Sequence, residues 1–276
     1  MKPIKRVAAI HDISGYGRCS MTVALPVLSA MGAQCCVLPA AYLSTHTGFE
    51  GFTFLDMTEQ MIPALNHWKS QNLQFDAIYS GFLGSAEQMD IVKKAKKMFP
   101  EALLVIDPVM GDNGIPYKTY TPEMCANMAR LAEHADLLVP NMTEAAIILG
   151  RDFAEAPATE SSALEWLEAL SGGWKRSVVL TGLVIEDGKI GLAWLDAAAK
   201  TWGTIQHPFV GEFYHGTGDL FASVMVGGLL RDLTLKEAAD QAALFIGDCA
   251  RVSFAEGTGR NQGVRFEAML GKLTDC

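Results

Sequence analysis

Short apolar segments alternate with helix-forming segments along most of the chain, and a polar loop follows each apolar segment. Residues 7–10 form the first apolar segment, a loop with two glycines follows at residues 11–17, and residues 20–31 have helical character. Residues 102–106 are apolar without interruption, which is typical of a strand buried on both faces. This alternation predicts an α/β fold with a mostly parallel central sheet, helices on both faces, and ligands at the carboxyl ends of the strands.

Two later segments depart from this alternation. Residues 191–195 and 201–205 have strand character and a short connection, which predicts a small antiparallel pair at the sheet edge. The chain of 276 residues contains no internal repeat, low-complexity tract or linker-like boundary. We therefore expect one domain spanning residues 1–276.

Composition excludes several classes of partner. The net charge is −9 and no basic run occurs, so nucleic acid is not an expected partner. No apolar stretch is long enough to cross a bilayer, and the apolar segment near the N-terminus is too short for a signal peptide. The cysteines lack zinc-site or CxxC spacing, so we expect free thiols in a cytoplasmic protein; they are Cys19, Cys35, Cys36, Cys125, Cys249 and Cys276.

The most informative motif is the polar stretch at residues 214–219, directly before an apolar helical segment at residues 220–230. Two glycines in it allow a tight turn, and the amide N–H groups at a helix start attract anions. Asp219 would repel a phosphate bound there unless it has a chemical role, and removing a proton from an attacking hydroxyl is such a role. The alternative is that Thr217 or Asp219 only caps the helix.

Acidic residues also follow two other predicted strands. Asp107 and Asp112 follow the strand at residues 102–106, and such carboxylates suit a hydrated Mg²⁺ ion that also binds phosphate oxygens. A turn with an Asp cap is the alternative. Asn141 and Glu144 follow a later strand, and their spacing fits a capping box as well as it fits a role for Glu144 in the water shell of the metal. The chain has neither a Walker A loop nor a dinucleotide-binding fingerprint.

Four motifs in fixed order give the chain a family resemblance. They are SGFLGSAEQ at residues 80–88, DPVMGD at residues 107–112, PNMTE at residues 140–144 and GTGD at residues 216–219. With these motifs the chain resembles the ribokinase superfamily, and within it the pyridoxal (vitamin B6) kinases, over nearly its whole length. The form GTGD is the better discriminator, because sugar kinases of the superfamily usually have GAGD.

The resemblance implies a role for each matching position of the catalytic motif. Asp219 matches the family's catalytic base, which takes the proton of the 5′-hydroxymethyl group of the vitamin. Gly216, Thr217 and Gly218 match an anion hole whose amides stabilise the charge on the transferring γ-phosphoryl group.

The resemblance also implies an ATP site and a metal site. Asp112 and Glu144 match residues that organise Mg²⁺ and phosphate, directly or through water. Thr181 matches a nucleotide-contacting hydroxyl, and Asn141 is implied to lie beside the triphosphate. ATP is then the co-substrate and Mg²⁺ the cofactor, and a requirement for K⁺ stays open.

On the substrate side, the resemblance implies that Thr47 contacts the pyridine ring and that Tyr117 belongs to a flap formed by residues 113–120. Two positions depart from the family pattern. Asp12 stands where many pyridoxal kinases have a ring-reading serine, and Phe82 stands where some relatives have a tyrosine. We hypothesise that Asp12 pairs with a protonated ring nitrogen or an amine, which would favour pyridoxamine or pyridoxine over pyridoxal.

The predicted function is ATP-dependent phosphorylation of the 5′-hydroxymethyl group of a B6 vitamer, by a homodimeric enzyme. The alternative is a hydroxymethylpyrimidine kinase of thiamine synthesis. The loop at residues 12–17 partly resembles these kinases, which are the most similar family at this stretch. A small-sugar kinase is a more distant alternative. A non-catalytic binder of nucleotide or pyridoxal phosphate would have lost the base or the metal carboxylates, and Asp219, Asp112 and Glu144 are all present.

Overall fold

The structure is a computed structural model that describes residues 3–274, so Cys276 lies outside the described residues. The α-helices are α1 (Met21–Ala30), α2 (Thr58–Ser70), α3 (Ala86–Met98), α4 (Pro122–Ala132), α5 (Met142–Leu149), α6 (Glu160–Leu170), α7 (Thr217–Leu230) and α8 (Leu235–Ala255). The strands are β1 (Arg6–Ser14), β2 (Gln34–Leu43), β3 (Phe54–Asp56), β4 (Ala77–Ser80), β5 (Leu103–Ile106), β6 (Gly111–Asp112), β7 (Ile115–Pro116), β8 (Leu137–Leu138), β9 (Ser177–Leu183), β10 (Lys189–Asp196) and β11 (Thr201–Pro208).

The chain forms two compact units. The described residues of the first unit are 3–103 and 210–274, and the second unit is Leu104–Phe209. Among residues 3–274, no helix has the length and apolar character needed to cross a membrane. The expectation of a single domain over residues 1–276 stays a prediction.

In the first unit the strand order is β4-β1-β2-β3, with β1 parallel to both β2 and β4 and with β3 antiparallel to β2. Helix α1 packs on β1 and β2, and α7 packs on both α1 and α8. Helix α7 is buried along most of its length, because its residues from Leu220 to Gly228 are almost all apolar or small. This central apolar helix carries the GTGD motif at its start.

Strand β1 is longer than the sequence predicted. We expected a loop from residue 11 onward, whereas β1 continues to Ser14 and pairs with an equally extended β2. The pairing register shifts between His11 and Ile13, which marks an irregularity of the β-bulge type. Such a bulge lets a strand carry polar residues and redirects the side chain at the irregular position, here Asp12.

In the second unit the strand order is β11-β10-β9-β8-β5. Strands β5, β8 and β9 are parallel, and β9, β10 and β11 are antiparallel. Strands β6 and β7 form a separate two-stranded hairpin. The predicted fold class, with mostly parallel strands, helices around them and a small antiparallel edge, is therefore confirmed.

Helix α4 has no counterpart in the sequence-based prediction. Its start carries a recognisable signal, because Thr121 caps the helix by accepting from the backbone N–H of Met124, and Pro122 occupies the first helical position. The cap, proline and following Glu123 form a helix start that the sequence alone could have revealed.

Candidate active site

The start of α7 has no side-chain cap. Gly216 is the N-cap residue, with φ 76°, and no side chain caps this helix start. A Cβ atom at Gly216 would lie 1.9 Å from the carbonyl oxygen of Arg18, so both the backbone conformation and the space require glycine. The hydroxyl of Thr217 donates to the carbonyl of Tyr214 at 3.1 Å, away from the helix amides. Neither Thr217 nor Asp219 is the cap, so no side chain caps the first-turn amides of α7.

Asp219 occupies the third helical position, in largely buried surroundings. Its side chain is 12% exposed. Burial raises the pKa of the Asp219 carboxyl to about 7, the backbone N–H of Ser20 opposes this rise by hydrogen bonding, and the nearby charge of Asp12 adds to it. A carboxyl group with a pKa near neutrality can accept a proton in one step and release it in the next.

His11 is a site residue that the sequence analysis missed. The His11 side chain is fully buried within β1, and its Nδ1 atom lies 3.9 Å from Oδ1 of Asp219. Its ring packs edge-on against Tyr79, with 4.3 Å between ring centroids. The Tyr79 hydroxyl in turn donates to the backbone carbonyl of Asp219 at 3.3 Å. A polar residue ending an apolar strand run was the available signal, since buried polar side chains in such places usually have a partner.

The predicted substrate residues of the first unit lie at three places: Asp12 within β1, Thr47 between β2 and β3, and Phe82 between β4 and α3. Asp12 is buried on β1 and accepts a hydrogen bond from the Ser14 hydroxyl at 2.8 Å. Burial raises the pKa of the Asp12 carboxyl, and hydrogen bonds from Ser20 and Ser14 oppose that rise. Phe82 is buried after β4, and Thr47 is exposed.

His46 fixes the loop that carries Thr47. Its Nδ1 atom accepts the backbone N–H of Gly48 at 3.1 Å, and its Nε2 atom contacts the carbonyl oxygen of Asn261 at 2.7 Å. Because Nδ1 accepts, the proton of the neutral ring belongs on Nε2, which then donates to Asn261. His46 is therefore a structural residue that orients its exposed neighbour.

In the second unit, Asn141 and Glu144 form a complete capping box at the start of α5. The Asn141 side chain accepts from the Glu144 backbone N–H at 3.0 Å, and Glu144 Oε2 accepts from the Asn141 backbone N–H at 2.8 Å. The other oxygen of Glu144 accepts from the backbone N–H of Met110 at 3.2 Å. The Asn141 amide also donates to the carbonyl of Gly111 at 2.9 Å. This network ties α5 to the hairpin that contains Asp112.

Thr181 and Tyr117 lie in the same unit as this network. Thr181 is bridged to Asn141, and its backbone N–H donates to the carbonyl of Pro140 at 2.9 Å. Tyr117 is half-buried and follows the β6–β7 hairpin, and its backbone N–H donates to the carbonyl of Met110 at 2.8 Å. The structure therefore brings Asn141, Glu144 and Thr181 together at one strand end, close to the hairpin base.

Asp112 is the exposed carboxylate of this group. It accepts a hydrogen bond from the backbone N–H of Asn113 at 2.9 Å. Within residues 3–274, no set of three or more His, Cys, Asp or Glu side chains is arranged to hold a metal ion. Magnesium does not require such a set, because it commonly takes one or two carboxylates and fills its shell with water and phosphate oxygens. The exposed Asp112 and the buried, hydrogen-bonded Glu144 fit a metal held in that way.

The chain matches the family model of the phosphomethylpyrimidine kinases over residues 25–264. The chain belongs to this family. The ribokinase-like fold that the sequence motifs implied is thereby confirmed, and so is the resemblance to pyridoxal kinases, because relatives carrying that name match most of the chain.

Two solved structures and one curated protein illustrate which proteins this chain is similar to. A candidate phosphomethylpyrimidine kinase from Bacteroides thetaiotaomicron, crystallised with pyridoxal, is 38% identical, with a TM-score of 0.93 over 98% of this chain and 96% of its own. Pyridoxal kinase from Lactobacillus plantarum is 30% identical, with a TM-score of 0.88 over 98% of this chain and 97% of its own. The pyridoxine/pyridoxal/pyridoxamine kinase of Bordetella avium is 27% identical over 262 residues, covering 87% of this chain and 82% of that protein.

Proposed function

We propose that this protein transfers the γ-phosphoryl group of ATP to the 5′-hydroxymethyl group of a vitamin B6 vitamer, giving the 5′-phosphate and ADP. The observation that carries the proposal is the largely buried carboxyl of Asp219 at the third position of a helix whose start has no side-chain cap. A base beside unpaired amides is what phosphoryl transfer to a hydroxyl requires. The relatives named as pyridoxal kinases support the choice of vitamer as the substrate class.

In the proposed step, the carboxylate of Asp219 accepts the proton of the substrate hydroxyl. The hydroxyl oxygen forms a bond to the γ-phosphorus while the bond from that phosphorus to the β–γ bridging oxygen breaks, and ADP leaves. The amides of Gly216, Thr217 and Gly218 stabilise the negative charge on the transferring group. No cysteine or serine nucleophile is needed for this direct transfer, because the substrate oxygen itself attacks.

The second unit is proposed to hold the metal and part of the nucleotide. Asp112 and Glu144 would hold Mg²⁺, which supplies positive charge against the phosphates when bound. Asn141 and Thr181 would contact the nucleotide, and Tyr117 would belong to a flap over the substrates. The capping box supports this proposal, because it keeps the Glu144 carboxylate fixed and buried beside the hairpin.

On the substrate side, Asp12, Thr47 and Phe82 are proposed to line the vitamer site. Asp12 is buried and its carboxyl is held by Ser14, so its charge would be felt strongly by a ligand. We propose that it favours pyridoxamine or pyridoxine over pyridoxal. An Asp12→Asn variant should lose that preference, and an unchanged ranking of the three vitamers would contradict this assignment.

A hydroxymethylpyrimidine kinase is the second candidate, and two observations favour it. The family model that matches the chain carries the name of phosphomethylpyrimidine kinases. In addition, Asp12 differs from the ring-reading serine of many pyridoxal kinases. The fold, base and anion hole would be the same in this case, and only the ring bound beside Asp12 would differ.

The deciding experiment measures ADP release by the purified protein with Mg²⁺-ATP and each of four substrates: pyridoxal, pyridoxine, pyridoxamine and hydroxymethylpyrimidine. Turnover with the B6 vitamers is the expected result. Turnover with the pyrimidine alone would replace the proposal by the second candidate. Repeating the assay in KCl and in choline chloride shows whether K⁺ is required.

We further propose that the protein is a homodimer in the cytoplasm. An apolar patch on β2 and β3 supports self-association, since Tyr42, Phe54 and Leu55 are each more than 40% exposed. The five described cysteines are free, as expected in a reducing compartment. Light scattering after size-exclusion chromatography should give twice the mass of one chain, and a Leu55→Asp variant should shift the mass towards a monomer.

A further inference from the structure

Two buried polar groups in the first unit face each other without a hydrogen bond. Both ring nitrogens of His11 and the Oδ1 atom of Asp219 are buried and lack a hydrogen-bond partner within the described part of the chain. The His11 Nδ1 atom and Asp219 Oδ1 are 3.9 Å apart. Leaving such buried groups unpaired costs stability. Buried polar groups without a partner are uncommon in folded proteins, so this pair calls for an explanation.

The surroundings of His11 hold its ring in one place. Tyr79 packs edge-on against the ring, and Gly81 leaves room for it on another side. A Cβ atom at Gly81 would lie 2.4 Å from the His11 Nδ1 atom, so any larger residue would displace the ring. The His11 ring is therefore fixed relative to the start of α7, to which Tyr79 is also hydrogen-bonded.

His11 is uncharged next to the carboxylate. Complete burial lowers the pKa of the His11 ring to about 3, so the pair is not a salt bridge at neutral pH. The other groups that act on this pair are the carboxyl of Asp12 on β1, the thiol of Cys19, the N–H of Ser20 and the hydroxyl of Tyr79. None of these groups is a cation.

We infer that His11 is a positioning residue for the base: its neutral ring directs an Nδ1–H at Oδ1 of Asp219, and this contact, already present in the free protein, shortens to a hydrogen bond when substrate is bound. The distance of 3.9 Å exceeds a hydrogen bond by about 1 Å, and catalytic hydrogen bonds are often long before substrate binds. The donor fixes one carboxylate oxygen, so that the other is directed at the substrate hydroxyl. A neutral donor does this without the strong loss of basicity that a cation would cause.

The inference rests on the proposed function, and the test therefore includes a readout that does not need turnover. The pKa of the Asp219 carboxyl is measured by ¹³C NMR in the full chain, with the resonance assigned by Asp219→Asn. The main variant is His11→Leu, with His11→Phe as a second variant that keeps an aromatic ring. His11→Asn retains an N–H donor near the position of Nδ1. Trp194→Phe is the matched control, because it removes from β10 another buried N–H that has no hydrogen-bond partner among residues 3–274.

His11→Leu should raise the pKa of Asp219 by about half a unit or more and lower kcat about tenfold or more, with the KM for ATP unchanged. His11→Asn should stay within about threefold of the parent kcat, and Trp194→Phe should change neither quantity. A folded His11→Leu or His11→Phe variant with the parent pKa and kcat overturns the inference. Equal losses of kcat in His11→Leu and His11→Asn, with no change in the Asp219 pKa, also overturn it and reduce His11 to a packing residue. If the parent turns over none of the four substrates, the proposed function fails, and the NMR titration still decides the pairing.

Discussion

Helices α5 and α7 both have a carboxylate at their third position, yet the two helix starts use it in opposite ways. In α5, Glu144 reaches back to the N–H of its own N-cap residue Asn141, and a second backbone N–H occupies its other oxygen. In α7, the N-cap is Gly216, and Oδ1 of Asp219 has no hydrogen-bond partner among the described residues. The first arrangement satisfies its own donors and acceptors, whereas the second leaves the helix start without a side-chain cap. The difference separates a carboxylate that its own helix start holds in place from one that, in the proposed mechanism, accepts the proton of the substrate.

The largest expected effect comes from filling the space at the α7 start. Gly216→Ala should lower the free energy of unfolding by about 3 kcal/mol or more and abolish measurable turnover, because the new Cβ meets the Arg18 carbonyl and the amides must move. Gly150→Ala, at the C-cap of α5, is the control. Its φ is 63° and nothing lies within 4 Å of the added Cβ, so only about 1 kcal/mol should be lost, with turnover unchanged. Denaturant unfolding and the ADP-release assay measure both quantities. Equal effects of the two substitutions would show that the close approach at Gly216 is unimportant.

A second effect, on stability and not on turnover, should appear in the pH dependence of unfolding. The folded pKa of Asp219 is raised from 3.8 to about 7, so between these values the folded protein binds more protons than the unfolded chain. The stabilising contribution is therefore present below about pH 4 and is lost as the pH rises through about 7. Between pH 4 and pH 8, Asp219→Asn should gain stability relative to the parent by up to about 4 kcal/mol. A difference between the two proteins that does not vary with pH would mean that the carboxyl has an ordinary pKa.

The smallest effect concerns the capped helix. Asn141→Ala should lower the free energy of unfolding by about 1 kcal/mol through loss of the cap. It should also reduce turnover, because the hydrogen bond from the Asn141 amide to the Gly111 carbonyl, which anchors the hairpin that carries Asp112, is lost. Thr234→Ala removes the same type of capping box from α8. It should cost a similar amount of stability and leave kcat unchanged. If both variants keep the parent kcat, the network around Asn141 is structural alone.

The sequence predicted the parts of the molecule that depend on local chemistry. Long apolar strands, amphipathic helices and the glycine motif at residues 216–219 were recognisable because their residue patterns match the periodicity of the element they form. The possible capping box of Asn141 and Glu144 was seen as well. The prediction could not decide between cap and catalytic roles at the α7 start, because that depends on where the Thr217 hydroxyl points.

Features set by tertiary contact were not predictable in this way. The extension of β1 to Ser14 depends on pairing with β2, and its irregular register has no local signature. The pairing of His11 with Asp219 joins residues more than 200 positions apart and depends on the space left by Gly81. The mechanistic roles of Asp219, Asp112 and Glu144 remain predictions.

The most direct test of the central claim separates binding from chemistry in the Asp219→Ala variant. A rapid-quench single-turnover experiment with Mg²⁺-ATP and the preferred substrate gives the rate of phosphoryl transfer, and calorimetry gives the dissociation constant for ATP. We predict a rate at least about 10³-fold below that of the parent, with ATP affinity within about threefold, because the base is removed while the amides at Gly216–Gly218 remain. A transfer rate within tenfold of the parent would contradict the assignment of Asp219 as the base.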